Sequence, residues 1–197
     1  MPAAASIIRT LPLACSTLLL LAGCESTPFY ENHPDVESAS LRVLTRMPGS
    51  TSFSTTSQLD CRKSPDARRL GTFSPFVVDG FFAERAGQNH KLALPGEEGL
   101  RDDMYADWKI DAGRPFLVHA QAVVPGGPGM LVGKTYVEGN TTLDVVGGFT
   151  PQAGHVYEID YARPARQPEL RLFELVRQDD GRTERRPVAF DQGSKVC

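Results

Sequence analysis

An all-β sandwich is the fold class this sequence predicts, and three observations predict it. Apolar residues recur with a period of two through most of the chain after Leu41, the mark of half-buried strands. The runs are short, and Gly and Pro punctuate them at Pro48-Gly49, Pro95-Gly96, Pro125 to Gly129, Gly147-Gly148 and Asp180-Gly181, which is turn chemistry. No long segment carries the apolar stripe of an amphipathic helix, so layers of sheet remain the way to bury a core.

The elements follow in order. In LRVLTR (41–46), Leu41, Val43 and Thr45 share one face and two arginines take the other. Residues 51–56, 75–82 and 130–137 are rich in Thr, Val, Phe and Tyr and are further strand candidates. In 116–124, Phe116, Val118, Ala120, Ala122 and Val124 alternate; in 141–149, Leu143, Val145 and Phe149 share a face. In 155–161, Tyr157, Ile159 and Tyr161 lie opposite Glu158 and Asp160. PELRLFELVRQ (168–178) has helix formers, but Asp179-Asp180-Gly181 follows and RRPVAF resumes an extended pattern. A terminal hairpin is therefore expected, with a bulge where the apolar phase shifts from Leu172 to Phe173.

A short internal echo fits this reading. Ala112-Gly113-Arg114-Pro115-Phe116-Leu117-Val118 and Ala153-Gly154-His155-Val156-Tyr157-Glu158-Ile159 share the form Ala-Gly-x-x-aromatic-x-β-branched. Glycine supplies a turn before each strand, and the aromatic is its first inward anchor. The second copy, within FTPQAGHVYEIDY, resembles the tyrosine corner of immunoglobulin-like sandwiches. The expected architecture is thus an antiparallel immunoglobulin-like or transthyretin-like β-sandwich, an analogy of fold that implies no activity.

The N-terminus has a different character. Residues 1–24 read MPAAASIIRTLPLACSTLLLLAGC, with Arg9 as the sole charge and an apolar core from Leu11 to Ala22. That core falls short of the about 20 apolar residues that span a bilayer and fits an export signal. It ends in Leu21-Ala22-Gly23-Cys24, which resembles the lipobox of bacterial lipoproteins. The resemblance implies cleavage after Gly23 and acylation of Cys24, whose chains would be the membrane partner. Two or three acyl chains, at about 0.8 kcal/mol per buried methylene, anchor stably where one does not. Glu25 stands where Asp marks inner-membrane retention in enterobacterial lipoproteins, so the resemblance implies the outer membrane, with the domain facing the periplasm. The expected organisation is a signal peptide over 1–23, a lipidated N-terminus and flexible tether over 24–39, and the sandwich over 40–197. In the tether, ESTPFYENHPDVESA is polar with two prolines, and His33 reads as a solvated linker residue.

Charge limits the partners. The whole chain of 197 residues carries −3, and loss of Arg9 with the signal takes the mature chain to −4. Neither a nucleic acid, which needs a basic footprint, nor a polybasic attraction to anionic lipid is expected from that balance.

Of four cysteines, Cys15 leaves with the signal and Cys24 takes lipid, which leaves Cys61 and Cys197. In an oxidising compartment the simplest use of such a pair is a disulfide that fastens the C-terminus. The chain-entropy model assigns about 5 kcal/mol to so long a closed loop. A redox or metal pair is the alternative, but there is no Cys-x-x-Cys and no nearby cluster of histidines.

Together, the lipobox, ASLRVLTR, a cysteine about twenty residues on, and GGFTPQAGHVYEIDY before a hairpin ending in RRPVAF are similar to a group of uncharacterised proteobacterial lipoproteins. The group has no assigned activity, so the resemblance implies no catalytic residues. The group's pattern places a second cysteine near the last hairpin, whereas here it comes only at the terminus.

Motifs for chemistry are sparse. The sequence has no Gly-x-Ser-x-Gly and no His-Glu-x-x-His, and His33, His90, His119 and His155 are scattered. No cofactor and no metal ligand are assigned. Glu97, Glu98, Asp102, Asp103 and Asp107 form an acidic stretch that reads as a solvated loop; calcium is the alternative, at a spacing unlike the EF-hand. Tyr105 and Trp108 flank Asp107 and form a contact patch if exposed, or core if turned inward. The expected role is binding or structural rather than enzymatic, with a protein partner in the cell envelope. The rivals are an accessory lipoprotein of an envelope or secretion complex and an enzyme or inhibitor acting on envelope polymers.

Overall fold

Two five-stranded sheets pack face to face across one apolar core. The computed structural model describes residues 27–56, 66–73, 91–124, 128–131, 134–137, 141–164 and 167–192. The first sheet contains β1 (Ser38–Thr45), β4 (Tyr105–Asp111), β9 (Val156–Ala162), β10 (Glu169–Arg177) and β11 (Thr183–Pro187), in the order β11-β10-β9-β1-β4. The second contains β2 (Ser50–Thr56), β3 (Arg68–Phe73), β5 (Phe116–Val124), β8 (Thr141–Phe149) and β12 (Asp191–Gln192), in the order β12-β8-β5-β2-β3. A separate hairpin, β6 (Pro128–Leu131) and β7 (Lys134–Val137), lies between β5 and β8 in the chain. No α-helix occurs among the described residues.

The period-two residues fill the space between the sheets. Leu41 and Val43 of β1, Trp108 and Ile110 of β4, Tyr157 and Ile159 of β9 and Leu170 and Leu172 of β10 are buried on one side. Phe53, Leu70, Val118, Ala120 and Val145 meet them from the other. Each large apolar side chain taken fully from water contributes roughly 1.5–3 kcal/mol, so this interior drives the fold. Phe53 meets Phe73 of its own sheet and Tyr161 of the opposite sheet edge-on, at centroid distances of 5.8 and 6.1 Å.

The echoed turns are the same structural device. Gly113 and Gly154 have φ of 74° and 78°, a left-handed conformation that glycine adopts without Cβ strain. Phe116 and Tyr157 then enter the core, and the Tyr157 hydroxyl accepts the Gln152 N–H at 3.1 Å, the backward bond of a tyrosine corner.

Several expectations need correction. Residues 130–137 are not one strand; they are divided between β6 and β7, which pair antiparallel. β3 and β4 were not among the expected strands, since RRLGTF is short and interrupted by glycine and YADWKID alternates apolar residues with carboxylates. The terminal hairpin exists as β10 and β11, but its register runs without a bulge from Phe173↔Pro187 to Arg177↔Thr183. Leu172 simply points into the core while Phe173 points out, under the Arg185 guanidinium at 4.1 Å. A register shift does occur between Phe53 and Ser54 in the β2–β3 pair. One pair also departs from the antiparallel pattern, because β1 and β9 run parallel. The candidate strand at 75–82 lies outside the described residues.

The tether is likewise shorter than expected. Pro28 accepts the Arg69 N–H at 2.7 Å and Tyr30 donates back to the Arg69 carbonyl at 3.0 Å, so residues 28–30 extend the edge of β3. Phe29 stacks on Trp108 of β4 at 6.0 Å, and Tyr30 meets Phe116 edge-on at 5.5 Å. His33 is bound at both ends of one carboxylate, its N–H to Asp111 Oδ1 at 2.8 Å and Nδ1 to Oδ2 at 2.5 Å. It is docked through these bonds while its side chain stays exposed to solvent. The segment closes the gap between the two edge strands, β3 and β4, and blunts both edges.

Candidate functional site

The outer face of the first sheet carries a buried ionic network. Alternation with Leu41 and Val43 turns Arg42 away from the core, yet its side chain is fully buried because residues 91–100 cross over it. Arg42 Nε donates to Asp107 Oδ1 at 3.0 Å and Nη1 to the Pro95 carbonyl at 3.1 Å. Nη2 donates to the Leu94 carbonyl at 3.2 Å and to Glu97 Oε1 at 3.0 Å. Asp107 in turn accepts the Leu92 N–H at 3.0 Å. One guanidinium thus ties a crossing strap to the sheet, and its planar fork suits several acceptors at once.

The network continues across β9. Glu158 lies 3.7 Å from Arg42 Nη1 and 2.5 Å from Arg185 Nη2. Asp160 receives Arg46 Nε at 3.1 Å and Arg185 Nη2 at 3.3 Å. Burial pushes the Glu158 carboxyl above its ordinary range, against the pull of Arg185 and Arg42. At the strap's start, Lys91 Nζ donates to the Tyr105 and Asp102 carbonyls at 2.6 and 3.1 Å and sits 3.0 Å above the Tyr105 ring. Burial lowers the Lys91 ammonium and raises the Tyr105 phenol. Opposite charges are matched throughout, an arrangement that holds a strap in register.

These contacts decide between the two alternatives for the aromatic pair and correct the reading of the acidic stretch. Tyr105 and Trp108 do not form a contact patch: each is only 4% exposed. Trp108 faces the core, where Nε1 donates to the Leu70 carbonyl of the opposite sheet at 2.7 Å, and Tyr105 lies beneath Lys91. The acidic stretch is not one solvated loop either. Asp107 belongs to β4 and is buried on Arg42, Glu97 binds the same guanidinium, and Asp103 pairs with Arg101. Among the described residues no group of three or more His, Cys, Asp or Glu is placed to hold a metal ion.

The second sheet turns a different outer face to solvent. His119 Nε2 and Gln121 Nε2 both meet Asp144 Oδ1, at 2.9 and 2.8 Å. Ser54 and Ser52 stand directly opposite His119 and Gln121 on β2, which makes a polar row across β2, β5 and β8. His119, turned outward by its alternation with Val118, is partly exposed. At the tyrosine corner, His155 Nδ1 lies 2.6 Å from Glu174 Oε1 and its ring stacks near Tyr157. Among the described residues each histidine meets a single carboxylate. Burial pushes the Tyr161 phenol well above its ordinary range, with Asp144 adding to the shift, and its hydroxyl donates to the Leu143 carbonyl at 2.9 Å.

A cleft of about 220 Å³ opens at the far end of the sandwich, between Met47 to Gly49, Phe73 and Arg101 to Met104. The sequence offered no sign of this cleft, and the Arg42 network was not read from it. The available signal for the network was charge of both signs on the outward phase of neighbouring strands: Arg42, then Asp107 and Lys109, then Glu158 and Asp160. The cysteines assigned to acylation and to the disulfide, Cys24, Cys61 and Cys197, lie outside the described residues.

Comparison with protein-family models, curated proteins and solved structures finds no match to this chain.

Proposed function

We propose that this chain is a bacterial lipoprotein whose β-sandwich is held at the periplasmic face of the outer membrane by acyl chains on Cys24. The observation that carries the reading is Leu21-Ala22-Gly23-Cys24, where an apolar run too short to span a bilayer stops at a cysteine and polar residues follow. Glu25 supports the outer membrane over the inner. The sandwich has a binding or structural role toward a protein of the cell envelope, and Cys61 and Cys197 form its disulfide in the oxidising periplasm. Arg42 and its partners keep one face of that module rigid.

Cell fractionation tests the anchor. Cys24→Ser leaves no thiol to acylate, so the full-length variant shifts out of the pelleted outer-membrane fraction, while the unchanged protein pellets there. Equal pelleting of both contradicts the reading.

A further inference from the structure

We infer that residues 28–33 are an orientation latch: they fix which end of the sandwich meets the lipid headgroups, and this inference rests on acylation at Cys24. Two observations combine. The segment is bonded to the body from Pro28 onward, through Arg69, Trp108 and Asp111. Only Glu25, Ser26 and Thr27 separate Cys24 from Pro28. Whatever path they take, four peptide units reach no more than about 14 Å. The acyl chains begin in the hydrocarbon region, and the headgroup layer above it is itself about 6 Å deep. The body is therefore held against the headgroups and does not roam on a long leash.

The pairing also says which end faces the lipid. Phe29 lies parallel to Arg69, next to the first residue of β3, so the chain before Pro28 departs beyond the start of that strand. The turn between β4 and β5 around Gly113, the turn between β8 and β9 around Gly154 and the Gln178–Arg182 turn lie at that same end. Arg68 and Arg114 are exposed there and supply cations to anionic or zwitterionic headgroups. The cleft lined by Met47, Phe73 and Met104 lies at the opposite end. The seven residues of β4 alone separate the ends by about 24 Å. The cleft end is thus the one offered to the periplasm.

The test uses the full acylated protein in vesicles of phosphatidylethanolamine and phosphatidylglycerol that carry a nitroxide on the headgroup. A fluorescent amino acid replaces Arg114 in one preparation and Arg101 in another, and the N-terminal peptide of each is weighed. The latch predicts severalfold stronger quenching at position 114 than at 101. It predicts that Phe29→Ala with Tyr30→Ala and His33→Ala brings the two values together. Acylated, vesicle-bound protein with equal quenching at both positions, or with a difference that survives the triple change, overturns the latch alone. Protein without acyl chains that stays off the vesicles overturns the anchor and the latch together.

Discussion

The two outer faces of this sandwich come from the same period-two pattern and end in opposite states. On the first sheet, β1, β4 and β9 turn Arg42, Asp107 and Glu158 outward, and all three are buried under the strap or beside Arg185. On the second, β5 and β8 turn His119, Gln121 and Asp144 outward, and the row stays partly open to solvent. Alternation decides which side of a sheet a residue takes. It does not decide whether that side is wet, because that depends on where a connecting segment of quite different sequence position is laid down.

The contrast is energetic as well. A buried guanidinium that makes four hydrogen bonds cannot be removed without stranding its partners, whereas a half-exposed polar pair can fall back on water. The largest effect is therefore expected at Arg42. Arg42→Met should lower the unfolding free energy by about 3–5 kcal/mol, because the fully buried Asp107 loses the charge that compensates its burial. In a double-mutant cycle by chemical denaturation, Asp107→Asn should cost much less in the Arg42→Met background than alone. Additive costs would mean that the two residues act independently and that the strap is held by other contacts.

Glu158 sharpens the same contrast through pH. Its folded-state carboxyl is raised above the ordinary value of 4.5, chiefly by burial, so the folded protein holds this proton more tightly than the unfolded chain does. The stability it contributes is complete below that value and is lost as pH rises through the raised one. The cost of Glu158→Gln should therefore shrink between about pH 4 and about pH 7. A cost that grows over this interval would show that Arg185 and Arg42 outweigh the burial.

The smallest effect is expected on the open face. Asp144→Asn keeps an acceptor for His119 and Gln121 and should change stability by about 1 kcal/mol or less. A loss as large as that at Arg42 would mean that this face is as closed as the other, and the comparison would fail.

Much of the fold was legible because it rests on local signals. Residues 116–124 and 141–149 coincide with β5 and β8, since unbroken alternation and flanking Gly and Pro fix both phase and ends. β4 was obscured because Asp107 reads as a loop residue until Arg42 and the strap are seen around it. β3 was obscured by Gly71, and the docking of Phe29 depends on a slot between two strand edges that no short window of sequence contains. The candidate sites divide in the same way. Acylation is written in four adjacent residues, while the Arg42 network joins groups 52 to 116 positions apart along the chain. Contacts at that separation are set by sheet order, which periodicity does not encode.

Placement of the sandwich at the bilayer depends on where the mature chain begins. A tryptic digest of the protein from native membranes should yield an N-terminal peptide running from Cys24 to Arg42, since no Lys or Arg intervenes. Mass spectrometry should find that peptide carrying a diacylglyceryl group on the cysteine sulfur, with or without a third chain on its amine. An unmodified peptide, or one that starts at another residue, would contradict the anchor and the close approach to the bilayer that follows from it.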